Sequence, residues 1–170
     1  MALLVSIRHT EEVTYQEPSP LRRKEILDQT RSIAVVGASS NPARASNFVM
    51  TYLASSMCDF DLYPVNPRET EINGFTCYPS LDALPVVPDL VDVFRKASDT
   101  PGIAEEAVAV GTKTLWLQLG IFSEEAAAIA SAGGLNVVMD RCTKIEHARF
   151  AGGLHLAGFN TGVISSRRAS

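Results

Sequence analysis

Ile33-Ala34-Val35-Val36-Gly37-Ala38-Ser39-Ser40-Asn41-Pro42 is the stretch that decides the fold of this 170-residue chain. Four apolar residues in a row suit a buried strand, and the glycine and small hydroxyl residues after them mark its end. From Pro42 onward the spacing becomes helical, with Ala43, Arg44, Ala45, Phe48, Val49, Tyr52 and Leu53. A strand that passes into a helix N-terminus leaves backbone N–H groups unpaired at the positive end of the helix dipole, where a phosphate is favoured. The stretch therefore points to a nucleotide-type ligand. It is not the G-x-G-x-x-G of the dinucleotide fingerprint.

Working outward, four further apolar runs read as strands, at 61–65, 90–94, 114–119 and 136–139, beside the first at 33–36. Helical spacing fills 21–30, 43–56, 100–111, 123–133 and 144–150, with a short turn of helix at 80–84. Strand and helix in alternation imply a parallel sheet covered on both faces, and right-handed crossovers leave few topologies. The expected fold is α/β: a Rossmann-like, doubly wound parallel sheet of about five strands in a single domain. Residues 1–20, ending in Pro18-Ser19-Pro20, read as an N-terminal arm, 21–150 as the domain, and 151–170 as a C-terminal tail.

Composition narrows the function. The chain is 46% hydrophobic and 20% charged, as ordinary globular proteins are. A net charge of -4 argues against nucleic acid and against membrane surfaces as partners. Met1–Ile7 is apolar but too short to span a bilayer, and no basic segment precedes it, so a cytoplasmic location is expected. Three widely spaced cysteines, Cys58, Cys77 and Cys142, suggest neither a disulfide framework nor a metal site.

In a doubly wound sheet, ligands sit beyond the carboxyl ends of the strands. The first strand delivers Gly37, Ala38, Ser39, Ser40 and Asn41, with Arg44 in the helix start. The second delivers Asn66, Pro67 and Arg68 where an NAD-binding chain would place an acidic residue for the ribose, and Arg68 suits a phosphate instead. After the third come Phe94, Arg95 and Lys96, a ring and two cations able to stack on a base and pair with phosphate. The fourth ends at Gln118, either a buried hydrogen-bonding residue or a ligand contact, and the fifth at Asp140-Arg141-Cys142.

Five segments occur together in one order: V-V-G-A-S-S-N-P from Val35, Y-P-V-N-P from Tyr63, P-D-L and V-D-V-F-R-K from Pro88, W-L-Q-L-G from Trp116, and V-V-M-D-R-C-T-K-I-E-H from Val137. In this the chain resembles the stand-alone CoA-binding proteins related to the CoA-binding domain of the succinyl-CoA synthetase alpha subunit, over about residues 25–150. The resemblance implies a domain that binds coenzyme A, or an acyl-CoA, with Gly37 to Asn41 as phosphate loop. It implies Ser39, Ser40 and Asn41 at the pyrophosphate, Asn66, Pro67 and Arg68 by the ribose and its phosphate, and Phe94, Arg95 and Lys96 by the adenine and phosphates.

Catalysis is not expected. The synthetases need a phosphorylated histidine and a nucleotide-grasp subunit, for which this chain is too short. Its histidines are His9, His147 and His155, and Glu146 beside His147 points to a different side of a helix. The expectation is a carrier, sensor or regulatory module, with a homodimer possible. Two alternatives stand beside it: an NADP-binding oxidoreductase-like module, and an assembly module with a vestigial pocket. Cys142 is either a small packing residue or a thiol made reactive toward CoA by Arg141.

Overall fold

The computed structural model describes residues 14–55 and 58–151. Ser19 starts the first helix, α1 (Pro20–Gln29), by accepting a hydrogen bond from the Arg22 N–H at 3.2 Å, and Pro20 occupies the first turn, where a missing N–H is harmless. The chain then runs through β1 (Ser32–Val36), α2 (Ala45–Leu53), β2 (Asp61–Val65), β3 (Glu71–Ile72), β4 (Phe75–Thr76) and β5 (Leu90–Val93). It continues with α3 (Thr100–Val110), β6 (Thr114–Leu117), α4 (Glu124–Ala132), β7 (Asn136–Val138) and α5 (Thr143–Ala151). Single 3-10 turns lie at Leu81–Ala83 and Ala97–Asp99.

Five strands form one parallel sheet in the order β2-β1-β5-β6-β7. The order reverses at β1, which lies between β2 and β5, and that reversal opens a crevice at the carboxyl ends of the strands. The expected α/β doubly wound sheet is therefore what forms. Pro64 is tolerated because β2 is an edge strand.

Side chains of the central strands alternate between two cores. Ala34, Val36, Val91, Val93, Leu115 and Leu117 face α3 and α4, whose Ala104, Ala107, Ala126 and Ala130 let the helices approach closely. Ile33, Val35, Leu90, Trp116 and Val138 face α1 and α2, packing against Ile26, Leu27, Val49, Met50 and Leu53. On the same face α5 packs against both α1 and α2, and it is held to α1 by a buried ion pair in which Arg23 Nε donates to Glu146 Oε2 at 2.9 Å.

Several sequence expectations are corrected. The helix expected at 43–56 is shorter because Asn41–Arg44 forms a turn, closed by the Arg44 N–H on the Asn41 carbonyl at 3.0 Å. The strands expected to reach Phe94, Leu119 and Met139 stop one or two residues sooner. The helix at 80–84 is one 3-10 turn. The β3–β4 hairpin was not expected, yet Asn73-Gly74 between its strands is a hairpin signal, and both residues have positive φ, 51° and 82°. Most of the arm and tail lies outside the described residues. Among the described residues, no helix is long and apolar enough to cross a membrane.

Candidate functional site

A cavity of about 830 Å³ opens where β1, β2 and β5 end, in the size range of small-molecule sites. Its floor is the turn after β1. Gly37 has φ +82°, and a Cβ there would lie 3.0 Å from both the Phe94 carbonyl oxygen and Arg95 Cδ. Only glycine lets the β1 and β5 loops approach this closely without strain.

The loop after β1 is largely self-supporting. Ser39 Oγ accepts from the Asn41 N–H at 3.2 Å, and Asn41 Oδ1 accepts from the Ala43 N–H at 2.9 Å. Their side chains thus shape the loop. The N-cap of α2 is Arg44, which makes no side-chain capping bond. The N–H groups of Ser39, Ala45 and Ser46, all on the cavity wall, have no acceptor among the described residues. A helix N-terminus left open in this way favours an anion.

Asn66 ties the neighbouring loop in place. Its Nδ2 donates to the Ala38 carbonyl at 2.8 Å and its Oδ1 accepts from the Arg68 N–H at 2.9 Å. Three cations reach the cavity: Arg44, Arg68 and Arg95. Arg95 is paired with Asp99, Nη2 to Oδ2 at 2.9 Å. The guanidinium groups of Arg44 and Arg68 have no hydrogen-bonding or ion-pair partner among the described residues.

The structure gathers Gly37, Ala38, Ser39, Arg44, Asn66, Pro67, Arg68, Phe94 and Arg95 around one cavity. It does not place Ser40, Asn41, Lys96, Gln118 or Cys142 in that lining. Ser40 and Asn41 are exposed in the same loop, and Lys96 is exposed at the start of the 3-10 turn. Gln118 is buried: its Nε2 donates to Asp92 Oδ1 at 2.7 Å and to Thr143 Oγ1 at 2.8 Å. Thr143 in turn donates to Asp92 Oδ2 at 2.9 Å, closing a triangle that ties β5 and β6 to the start of α5. Burial pushes the Asp92 carboxyl up to about 7, against the two hydrogen bonds that lower it.

Cys142 is buried in the core under α5. Burial raises its thiol, and Arg141, expected to lower it, instead bonds Glu17 and its own neighbour's carbonyl at Asp140. His147 is half-buried and is not paired with Glu146: its Nδ1 lies 2.9 Å from the Tyr52 hydroxyl. The lining also holds Ser46, Glu69, Ser80, Asp99 and Glu106, which the sequence reading did not single out. Ser80 arrives through the unexpected hairpin. Glu69 directly follows Arg68 and Asp99 lies four residues after Arg95, and only folding reveals that they face the same space.

A family model described as a CoA binding domain matches residues 31–148. The chain is 37% identical to the uncharacterized Bacillus subtilis (strain 168) protein YneT over 133 residues, 78% of this chain and 97% of that one. It is 37% identical to a solved hypothetical protein from Pyrococcus horikoshii OT3, with a TM-score of 0.76 and coverage of 81% and 98%. It is also 28% identical to the acetate–CoA ligase (ADP-forming) I of Archaeoglobus fulgidus, matching 75% of this chain but only 20% of the ligase.

Proposed function

The chain belongs to the CoA binding domain family, and on that premise we propose that it binds coenzyme A, or an acyl-CoA, in the cavity at the ends of β1, β2 and β5. The observation that carries the reading is a pair of cations, Arg44 and Arg68, whose guanidinium groups have no partner among the described residues and which line one cavity with an uncapped helix N-terminus. Coenzyme A brings a pyrophosphate and a 3′-phosphate, so its site needs several donors of this kind. Charge-assisted bonds contribute roughly 1.5–3 kcal/mol each when well formed. Two or three, less the cost of association, are enough for micromolar binding, about -8 kcal/mol.

The residues present fit the ligand. The pyrophosphate belongs on the open N–H groups of Ser39, Ala45 and Ser46, with Arg44 beside them. Arg68, in the loop after β2, belongs with the ribose phosphate, and the half-buried Phe94 offers an aromatic surface to the adenine. Asn66 positions these two loops. The role we assign is that of a carrier, sensor or regulatory module rather than a catalyst. In support, two relatives with a named activity are acetate–CoA ligases that this chain matches over only about a fifth of their length.

Titration calorimetry in moderate salt tests the reading. Coenzyme A should bind at micromolar strength, dephospho-CoA more weakly, and NAD not at all. Tighter binding of NADPH than of coenzyme A would overturn it.

A further inference from the structure

The cavity already contains an anion of its own. Both carboxylate oxygens of Glu69 lie 3.2 Å from the backbone nitrogen of Ser40, in the loop between β1 and α2. We propose that Glu69 stands in for a ligand phosphate on this loop, so that the site binds its ligand by exchange, the incoming phosphate expelling the carboxylate. The inference rests on the cavity being the ligand site and concerns how that site is regulated.

Three observations carry it. First, Glu69 is half-buried on the cavity wall and makes no ion pair among the described residues, although Arg44 and Arg68 line the same space. A carboxylate held for structural reasons would be expected to use a nearby cation. This one instead uses the backbone N–H of Ser40, next in the loop to the open N–H of Ser39 at the edge of the cavity.

Second, its contact is shared between two oxygens at the long end of the hydrogen-bond range, which makes it replaceable. Third, the pattern is repeated. Arg95 donates through Nε to Asp99 Oδ2 at 3.1 Å, so a second candidate phosphate donor is also covered by a carboxylate of the chain.

With Glu106, the cavity holds three carboxylates against three guanidinium groups. Without ligand its donors are partly self-satisfied. A ligand with several phosphates can engage Arg44 and Arg68 first and then replace Glu69. The resident charge lowers affinity, because each phosphate arriving near it meets like-charge repulsion until the carboxylate leaves.

The test compares the wild type with Glu69→Ala, Glu69→Gln and the distant control Glu124→Gln. Calorimetric titration with coenzyme A should show Glu69→Ala and Glu69→Gln binding about fivefold tighter or more, the scale of one unit charge removed at about 4 Å in a water-exposed site. The control should match the wild type.

In nuclear magnetic resonance spectra, the Ser40 amide of the free wild type and of free Glu69→Gln should differ. Saturated with coenzyme A, the two should coincide, because Glu69 has left. Equal or weaker binding by the Glu69 variants, or a Ser40 difference that persists at saturation, overturns the exchange. Failure of the wild type and all variants to bind coenzyme A overturns instead the reading of the site.

Discussion

At the scale of single residues, Asp92 is the group whose chemistry reaches furthest. It is a carboxylate in the middle of the sheet, in register with Val35 and Trp116, and wholly buried. Its folded value of about 7 lies above the ordinary 3.8, so the folded protein holds a proton that the unfolded chain has lost in the range between them. Stability should be full below about pH 4, fall as pH rises toward 7 and level off above it, by an amount on the order of 4 kcal/mol.

Urea denaturation of Asp92→Asn across that range should show this slope removed; a slope identical to the wild type would contradict the burial argument. In the cavity, Arg68→Ala should weaken coenzyme A binding by roughly tenfold or more and flatten its salt dependence. Its melting temperature should not change, since Arg68 is exposed and its guanidinium bonds nothing among the described residues.

The residue types were legible in the sequence where position after a strand was enough, as for Gly37, Asn66, Phe94 and Arg95. Gln118 could not be settled that way: a polar residue ending a strand points either to ligand or to core, and the choice depended on Asp92 and Thr143, 26 and 25 positions away.

At the scale of elements, two joints stand out, one at the site and one between helices outside its lining. One is the contact of the β1 and β5 turns at Gly37. Gly37→Ala adds a methyl group against a backbone carbonyl at 3.0 Å in a left-handed conformation, and should cost about 1–3 kcal/mol while weakening ligand binding. Thermal melts together with titration check both effects.

The other joint is Arg23–Glu146, between α1 and α5. Glu146 faces two buried guanidinium groups, Arg23 and Arg149; without it Arg23 keeps only Glu17 and the Pro18 carbonyl and the buried Arg149 charge is stranded, so Glu146→Ala should lose about 3–5 kcal/mol in chemical denaturation. Periodicity located every long helix and all five strands of the main sheet. It missed the two-residue strands β3 and β4, too short to show alternation, although Asn73-Gly74 carried the turn. The start of α2 was misjudged because Ala43 and Arg44 continue a helical spacing, whereas the Asn41 side chain bonds the Ala43 N–H and holds that segment in a turn.

For the molecule as a whole, the position of the cavity follows from topology. The parallel sheet reverses its order at β1, the three strands around that reversal end in loops rich in small residues and arginines, and those loops converge. The measurement that tests this most directly is a coenzyme A titration followed through the backbone amide resonances. The account predicts saturable shifts at micromolar ligand, concentrated in residues 37–46, 66–69 and 94–95. Shifts confined to another part of the molecule, or none at millimolar coenzyme, would contradict it.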